Sequence, residues 1–169
     1  MFASAALIVF PLLMAFAALA DLFTMTIPNR VSLLLIGAYF ALALYLREPW
    51  EVVAMHASCG LLMLIVTFMM FSLRWIGGGD AKLVAATALW LGWGALFEYG
   101  LVASLIGGVL TLAIMALRSP ERLPPRLLSF EFVRRLAEKN GGVPYGIALA
   151  LAGLIVYPQT SVWMGLAGS

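Results

Sequence analysis

The sequence is dominated by long runs of apolar residues that no charged side chain interrupts. The first run covers residues 2–20 and ends at Asp21. A helix needs about 20 such residues to cross the hydrocarbon core of a bilayer. Of the 169 residues, 64% are hydrophobic and only 11% are charged, whereas a soluble domain carries about 25% charged residues. The chain has too little polar surface to cover a globule in water, so its solvent must be lipid.

Five further apolar runs follow the first, and only Glu98 separates the fourth run from the fifth. They cover residues 31–46, 52–73, 81–97, 99–117 and 143–163. Runs of this length and continuity do not fit the alternating strands of a membrane barrel. The sequence therefore predicts an all-α polytopic membrane protein with about six transmembrane helices. We expect residues 1–169 to form a single transmembrane domain.

The basic residues fall almost entirely in alternate connections between the predicted spans. Nine of the ten lie in residues 21–30, 74–82 and 118–142, and the tenth is Arg47. Because cytoplasmic loops are enriched in Lys and Arg, this asymmetry predicts that these three connections are cytoplasmic and that both termini lie outside. The basic loop at 118–142 contains, at 126–139, the spacing of a short amphipathic helix on the membrane surface. A solvated charged loop is the alternative interpretation of that segment.

Asp21 and Asp80 are the two acidic residues that call for a chemical explanation. Two predicted membrane crossings separate them, so both return to the cytoplasmic boundary. A carboxylate at the end of an apolar helix is costly and tends to face the protein interior or water. Two carboxyl groups that share one proton can activate a water molecule for attack on a peptide carbonyl. Residue type and topology thus predict a candidate aspartic peptidase site, although spacing alone does not show that the two side chains meet.

Three glycines, Gly77, Gly78 and Gly79, directly precede Asp80. Glycine permits backbone conformations that are closed to other residues and allows another chain to approach closely. Asp80 would then lie near a helix N-terminus, where its carboxylate can accept backbone N–H groups. Taken alone, a tight turn with a capping aspartate would explain the same residues.

Three motifs, in chain order, resemble those of the type IV prepilin peptidase family, the GxGD membrane aspartic peptidases. The first has an aspartate followed six residues later by Ile-Pro-Asn, the second is Gly-x-Gly-Asp with a trailing Lys-Leu, and the third is Pro-Tyr-Gly. Here they are Asp21 with Ile27, Pro28 and Asn29; Gly77, Gly78, Gly79 and Asp80 with Lys82 and Leu83; and Pro144, Tyr145 and Gly146. The resemblance spans nearly the whole chain.

The resemblance implies a membrane aspartic endopeptidase that cleaves the leader peptide of type IV prepilins or prepilin-like proteins at the cytoplasmic face. Asp21 and Asp80 would be the catalytic pair, with no metal and no cofactor, in a bacterial inner membrane. The implied partners are a prepilin or pseudopilin helix, membrane lipid, and pilus or secretion machinery, but not nucleic acid. The remaining motif residues would support or shape the site: Gly77, Gly78, Gly79, Ile27, Pro28, Asn29, Lys82, Pro144, Tyr145 and Gly146.

Two further expectations follow from the resemblance. Larger family members carry a cytoplasmic domain with paired CxxC motifs that is linked to N-methylation, whereas Cys59 is the only cysteine here. This difference points to the compact subgroup associated with tight-adherence (Flp) pili, or to archaeal preflagellin peptidases. Family substrates also carry a Glu after the cut, which Arg30, Arg74 or Lys82 could bind.

A function of another class remains open on the residues alone. A small transporter or ion-conducting subunit could use Asp21 and Asp80 as a proton or cation pair. Transporter sites usually lie nearer the bilayer midplane and often within internal repeats, whereas these acids lie at one edge and no repeat is visible. His56, the only histidine, lies near the opposite end of the third span, and we interpret it as a hydrogen-bonding residue at the interface.

Overall fold

The chain folds into a bundle of apolar helices. A computed structural model describes residues 2–118, 130–138, 141–160 and 163–164, with side chains from residue 7 onward. The elements are α1 (Phe2–Thr24), α2 (Asn29–Leu46), α3 (Trp50–Ser72), α4 (Gly78–Leu117), α5 (Glu131–Ala137) and α6 (Tyr145–Val156), with a 3₁₀ turn at Tyr157–Gln159. Helices α1 to α4 are long and apolar enough to cross a membrane. The predicted all-α polytopic membrane fold is confirmed.

Helix α1 continues one turn beyond the predicted end at Asp21. The hydroxyl of Thr24 donates to the carbonyl of Ala20 at 2.7 Å, and the left-handed conformation of Met25, with φ of 54°, ends the helix. Asp21 is therefore an interior residue of the last helical turn. Because its backbone is helical, its side chain has a fixed direction, and it points into the bundle with 5% exposure.

The fourth and fifth predicted spans form one element, α4, that breaks at Gly92 and not at Glu98 as predicted. Gly92 has φ of 66° and ψ of −177° inside the 40-residue helix, a conformation that is essentially restricted to glycine. His56 donates through Nδ1–H to the carbonyl of Leu89 at 2.9 Å. This bond satisfies a carbonyl at the break, so the buried imidazole caps the first arm of α4. We call residues 78–91 the first arm and residues 93–117 the second arm.

The last predicted span, 143–163, is interrupted near its far end. Helix α6 and the 3₁₀ turn cover Tyr145–Gln159, and Thr160 is extended. Residues 161 and 162 lie outside the described part of the chain, and Trp163 and Met164 are again helical. Pro158 cannot donate a backbone hydrogen bond and therefore does not continue the α-helix. The small residues of α6 pack in the centre of the bundle: Gly153 lies against Met14, Phe10 and Thr87.

The two ends of the bundle differ in chemistry. Glu48, His56, Glu98 and Gln159 line one cavity at the end where α3 begins. Asp21 and Asp80 lie at the opposite end, where α1 finishes and α4 starts. The antiparallel pairing of α3 with the first arm of α4 sets this polarity.

A short helix, α5, covers the Asp21 end of α1. Phe132 packs edge-on against Phe23 at 5.7 Å between ring centroids, and Arg135 donates to the carbonyl of Phe23 at 3.3 Å. The predicted amphipathic helix at 126–139 is thus present over Glu131–Ala137. Residues 119–129, 139 and 140 of the basic loop lie outside the described part of the chain.

Candidate active site

Asp21 holds the start of α6 through its carboxylate. The backbone N–H of Gly146 donates to Oδ2 of Asp21 at 2.7 Å, and the N–H of Ile147 is also directed at this carboxylate. The first N–H groups of a helix have no partner within it, and the positive end of the helix dipole favours a negative charge. A residue 125 positions earlier in the chain therefore supplies the N-terminal hydrogen bond that α6 lacks.

Gly146 leaves no space for a side chain at this contact. A Cβ atom at position 146 would lie 2.7 Å from Oδ2 of Asp21 and 2.7 Å from Cδ1 of Ile27. Carbon atoms in contact are ordinarily about 3.5–4.0 Å apart. The third motif thus meets the first motif directly. Pro144 precedes α6 and is buried, while Tyr145 is partly exposed beside it.

Asp80 lies in the first turn of α4 and is half-buried. The backbone N–H of Gly77, the N-cap of α4, is directed at its carboxylate, as the sequence suggested for an aspartate near a helix N-terminus. Asp80 also lines a cavity of about 790 Å³ together with Tyr145. Its side chain therefore reaches a space that a second molecule could enter.

The glycines before Asp80 are needed for close packing and not for unusual backbone angles. Among the described glycines, only Gly92 has a positive φ, so the expectation that these residues use a special conformation is wrong. A Cβ at Gly79 would lie 3.1 Å from Cβ of Ile27, and a Cβ at Gly78 would lie 3.2 Å from the ring of Phe71. Glycine at these positions lets the start of α4 approach the connection between α1 and α2.

Ile27 links the surroundings of the two aspartates. It lies against Gly79, next to Asp80, and against Gly146, which bonds Asp21. The two carboxyl groups are close enough for the charge of Asp21 to act on Asp80. The structure thus brings Asp21 and Asp80 to the same end of the bundle, with Ile27 packed beside both.

The three basic residues that could bind a substrate glutamate, Arg30, Arg74 and Lys82, have different surroundings in the structure. Lys82 donates to Oδ1 of Asn29 at 2.8 Å and ties the start of α4 to the start of α2. Arg30 is exposed one residue further along α2. Arg74 is exposed and adopts a left-handed conformation with φ of 61°. Pro28 precedes α2 as its N-cap. Lys82 therefore has a structural hydrogen bond that the sequence did not indicate.

Two polar residues near Asp80 were missed by the sequence interpretation. The hydroxyl of Thr67 lies 2.6 Å from the carbonyl oxygen of Met63 in α3 and 3.0 Å from that of Ala81 in α4, so its single proton is shared between the two helices. Tyr99 is 2% exposed and lines the cavity that Asp80 lines. Both lie inside apolar runs, where a polar side chain needs an internal partner. The free-energy cost of leaving such a side chain unpaired was the sequence signal that could have identified these two residues.

Within the described residues, no three His, Cys, Asp or Glu side chains are grouped to hold a metal ion.

The chain matches a known family over the region that carries both aspartates. Residues 8–112 match the model of the type IV leader peptidase family. The chain belongs to this family. Two relatives described as prepilin leader peptidase/N-methyltransferase, from Aeromonas salmonicida strain A449 and from Aeromonas salmonicida, are each 31% identical over 140 residues. The match covers 80% of this chain and 42% of each relative, so the chain spans less than half of their length. No solved structure matches the chain.

Membership agrees with the motifs. The family match includes the first two motifs and ends before the third, which begins at Pro144. The third motif is brought to the site by the contact between Gly146 and Asp21. Residues that are far apart in the sequence of this family member thus meet at one end of the bundle.

Proposed function

We propose that this chain is a membrane aspartic endopeptidase that removes the leader peptide of type IV prepilins or prepilin-like proteins. The observation that carries the proposal is the convergence of Asp21 and Asp80. One is buried in the last turn of α1, and the other lies in the first turn of α4 and reaches a cavity. Among the other described acidic residues, Glu48 and Glu98 lie at the far end of the bundle and cannot join this pair.

The proposed reaction uses the two carboxyl groups in different protonation states. Two neighbouring carboxylates repel each other, so one of them retains a proton. The ionised group takes a proton from water as the water oxygen bonds to the carbonyl carbon of the scissile peptide. The protonated group donates its proton to the carbonyl oxygen. When the tetrahedral intermediate collapses, the leaving nitrogen takes up the proton that the first carboxyl group took from water, and the carbon–nitrogen bond breaks. The former carbonyl oxygen returns its proton to the second carboxyl group, so both groups regain their starting protonation states.

The N–H groups of Gly146 and Ile147 give Asp21 a fixed orientation in this scheme. The N–H of Gly146 holds Oδ2 of Asp21, so Oδ1 would face the water. The N–H of Gly77 is directed at the carboxylate of Asp80 and would orient it in a similar way. Preorganised donors of this kind avoid reorganisation during the reaction, so these backbone groups position the pair and take no direct part in the chemistry.

We further propose that the aspartates lie at the cytoplasmic face of a bacterial inner membrane. The distribution of basic residues supports this orientation: nine of the ten lie in alternate connections of the sequence, and the six of these nine that the structure describes lie at the Asp21 and Asp80 end. Cytoplasmic connections are enriched in basic residues. Residues 1–169 would form one membrane domain, with a basic cytoplasmic loop at 118–142. Its partners would be the substrate helix, lipid and a pilus or secretion machine. Cys59 is the only cysteine of residues 1–169, so the activity that we propose for these residues is leader cleavage alone.

Variants at the two aspartates test the proposal. Purified protein in detergent is incubated with a prepilin, and leader removal is followed by the change in mass. We expect Asp21→Asn and Asp80→Asn each to abolish cleavage while thermal unfolding is retained, because neither amide can exchange the required proton. Glu51→Gln, at an exposed acid in the first turn of α3, is the control and should cleave normally. Cleavage by either asparagine variant at the parent rate would remove that residue from the mechanism.

Charge reversal at Arg30, Arg74 and Lys82 tests the proposed contact with a substrate glutamate. Each variant is assayed on a prepilin with the glutamate and on one without it. Charge reversal at the residue that pairs with the substrate glutamate should abolish the preference of the enzyme for the glutamate-containing substrate. Lys82→Glu also breaks the bond to Asn29, so Asn29→Ala serves as its control. If the parent and all three variants cleave the two substrates at equal rates, the proposed contact is rejected.

A further inference from the structure

The cavity at the far end of the bundle, away from Asp21 and Asp80, has no part in the proposed peptidase reaction. Its volume is about 570 Å³. Its lining comes from α2, the start of α3, the break in α4 and the 3₁₀ turn. Glu48 and Glu98 both line it and are exposed. The cavity therefore connects two carboxylates at this end with the interior of the bundle.

A buried hydroxyl in this cavity has no partner. Tyr39 is 4% exposed and lines the cavity. Its hydroxyl makes no hydrogen bond in the described part of the chain, and unlike the hydroxyls of Tyr99 and Tyr157 it is not enclosed in the core. Glu48, which lines the same cavity, is close enough for its charge to act on Tyr39. A molecule in the cavity can therefore bond a polar group that the chain itself leaves unused.

The imidazole of His56 presents a second unused atom beside Tyr39. The two rings are stacked with their centroids 5.5 Å apart. Nδ1–H of His56 donates to the carbonyl of Leu89, so Nε2 carries a lone pair that can accept a hydrogen bond. His56 is 8% exposed and also lines the cavity. The buried side of the cavity thus offers an acceptor nitrogen next to the tyrosine.

The two carboxylates of the cavity are not paired with a cation. Gln159 donates through Nε2 to Oε1 of Glu98 at 3.0 Å, which orients this carboxylate without neutralising it. Among the residues that the structure describes, the one ion pair joins Arg135 to Glu131 in α5. The cavity therefore has a negative charge that a cationic ligand would compensate. Three metal-ligating side chains do not come together in the described ranges, so the chemistry favours an organic cation.

The walls between these polar groups are apolar. Leu42 and Leu46 of α2 and Met55 of α3 line the cavity, and Met55 is exposed. Trp93, which also lines the cavity, is exposed as well, as is typical of a residue at the membrane interface. An apolar chain attached to the cation would lie against these walls and could leave the bundle towards lipid.

We propose that this cavity binds a primary ammonium group carried on an apolar chain, a role that is independent of the proposed peptidase function. The N–H donors of the ammonium would be accepted by the carboxylates of Glu48 and Glu98 and by Nε2 of His56. The hydroxyl oxygen of Tyr39 offers a further acceptor. A quaternary ammonium has the same charge but no donor, and therefore fits less well. Two sources have the required chemistry: a free alkylamine, and the ethanolamine headgroup of a phospholipid.

The test measures thermal unfolding of the full chain in detergent over a range of ligand concentrations, from which a dissociation constant follows. Hexylammonium is compared with hexyltrimethylammonium, which has the same chain and charge. We expect hexylammonium to bind about tenfold more tightly, because only this ligand can donate hydrogen bonds to the cavity. Ethylammonium, which lacks four CH₂ groups of the chain, should bind more than tenfold more weakly than hexylammonium.

Variants of the lining residues locate the binding. Glu48→Gln and Glu98→Gln should each weaken the binding of hexylammonium about 2- to 5-fold, as expected for exposed ion pairs. Tyr39→Phe should weaken it about 2- to 10-fold through the loss of one hydrogen bond. Glu51→Gln is the matched control, because Glu51 is an exposed acid at the same end that does not line the cavity. It should leave the dissociation constant unchanged.

Native mass spectrometry distinguishes the two sources. The purified chain is incubated with dioleoyl phosphatidylethanolamine or with dioleoyl phosphatidylcholine, whose headgroup is the trimethyl counterpart. Preferential retention of the first lipid, lost when Glu48→Gln and Glu98→Gln are combined, identifies the phospholipid as the ligand. Equal retention of the two lipids, together with selective binding of hexylammonium, identifies a free alkylamine.

Two results would overturn the inference. In the first, neither hexylammonium nor phosphatidylethanolamine is preferred over its trimethyl counterpart. In the second, Glu51→Gln weakens binding as much as Glu48→Gln and Glu98→Gln do, which would mean that only the net charge of this end matters. Both results are independent of leader cleavage, so failure of this inference leaves the peptidase function untouched, and the reverse also holds.

Discussion

The contact between Gly146 and Asp21 allows the most direct test of how the site is assembled. In Gly146→Ala, the new Cβ would lie 2.7 Å from Oδ2 of Asp21 and 2.7 Å from Cδ1 of Ile27. Relief to an ordinary contact of about 3.5–4.0 Å requires a shift of about 1 Å. Both obstructing atoms are side-chain ends, which can move more easily than backbone. The substitution should therefore be tolerated by the fold but should displace the carboxylate.

The expected magnitudes follow from this geometry. Overpacking costs about 1–3 kcal/mol of unfolding free energy, part of which the movement of Ile27 relieves. A displacement of about 1 Å at a reacting group can reduce a rate about 100-fold. We therefore expect kcat for prepilin cleavage to fall about 100-fold, with a smaller change in KM, because the substitution displaces a reacting group and leaves the rest of the cavity beside Asp80 unaltered.

The assay measures initial rates of leader removal over a range of prepilin concentrations, with thermal unfolding of the same samples. Gly37→Ala is the control, because no atom lies within 4 Å of the added Cβ; its kcat should equal that of the parent. Gly79→Ala should have an intermediate effect, because its Cβ meets Ile27 at 3.1 Å. A folded Gly146→Ala protein with kcat within twofold of the parent would refute the claim that this contact positions Asp21.

Three other substitutions test the packing around the site. Gly92→Ala should lower the unfolding free energy by about 3 kcal/mol or more. The new Cβ would lie 2.8 Å from the imidazole of His56, on a backbone conformation that only glycine adopts readily. The yield of folded protein measures this loss of stability. Thr67→Val should cost about 1 kcal/mol in chemical unfolding, since the bond to the carbonyl of Ala81 is lost. Arg135 lowers the pKa of Glu131 through a hydrogen bond and ion pair, so any stabilisation it gives is present at neutral pH and is lost as the pH falls through the lowered pKa. Glu131→Gln should therefore remove that pH dependence and leave cleavage unchanged.

Apolar runs and charge distribution were sufficient to predict the fold class. Runs of about 20 uncharged residues require helices in lipid, because backbone groups have no other partner there. The placement of Asp21 and Asp80 at one end also followed, since two crossings return a chain to the same side. These predictions rest on properties of single segments, which a sequence displays directly.

Features that depend on contacts between segments could not be predicted. The break in α4 was placed at Glu98 because a charge interrupts the apolar run there, but it occurs at Gly92, where His56 from α3 occupies the space of a side chain. For the glycines before Asp80 the sequence offered two uses, unusual backbone angles and the close approach of another segment. The structure has the second at Gly78 and Gly79, but the approaching residues, Phe71 and Ile27, could not be named from the sequence. In both cases the deciding atom belongs to a residue distant in sequence.

The break at Gly92 has a consequence for the site. If α4 continued as one straight helix, its 40 residues would extend about 60 Å, twice the thickness of the hydrocarbon core. The second arm could not then return past the first, and Tyr99 would not lie near Thr87 or line a cavity with Asp80. The reversal at Gly92 therefore creates the cavity beside Asp80 at the same time as it fits α4 to the bilayer. His56 caps this reversal at the end of the bundle away from the two aspartates. His56→Ala should therefore alter the cavity, measured as a lower kcat/KM for prepilin, while leaving the contact between Gly146 and Asp21 in place.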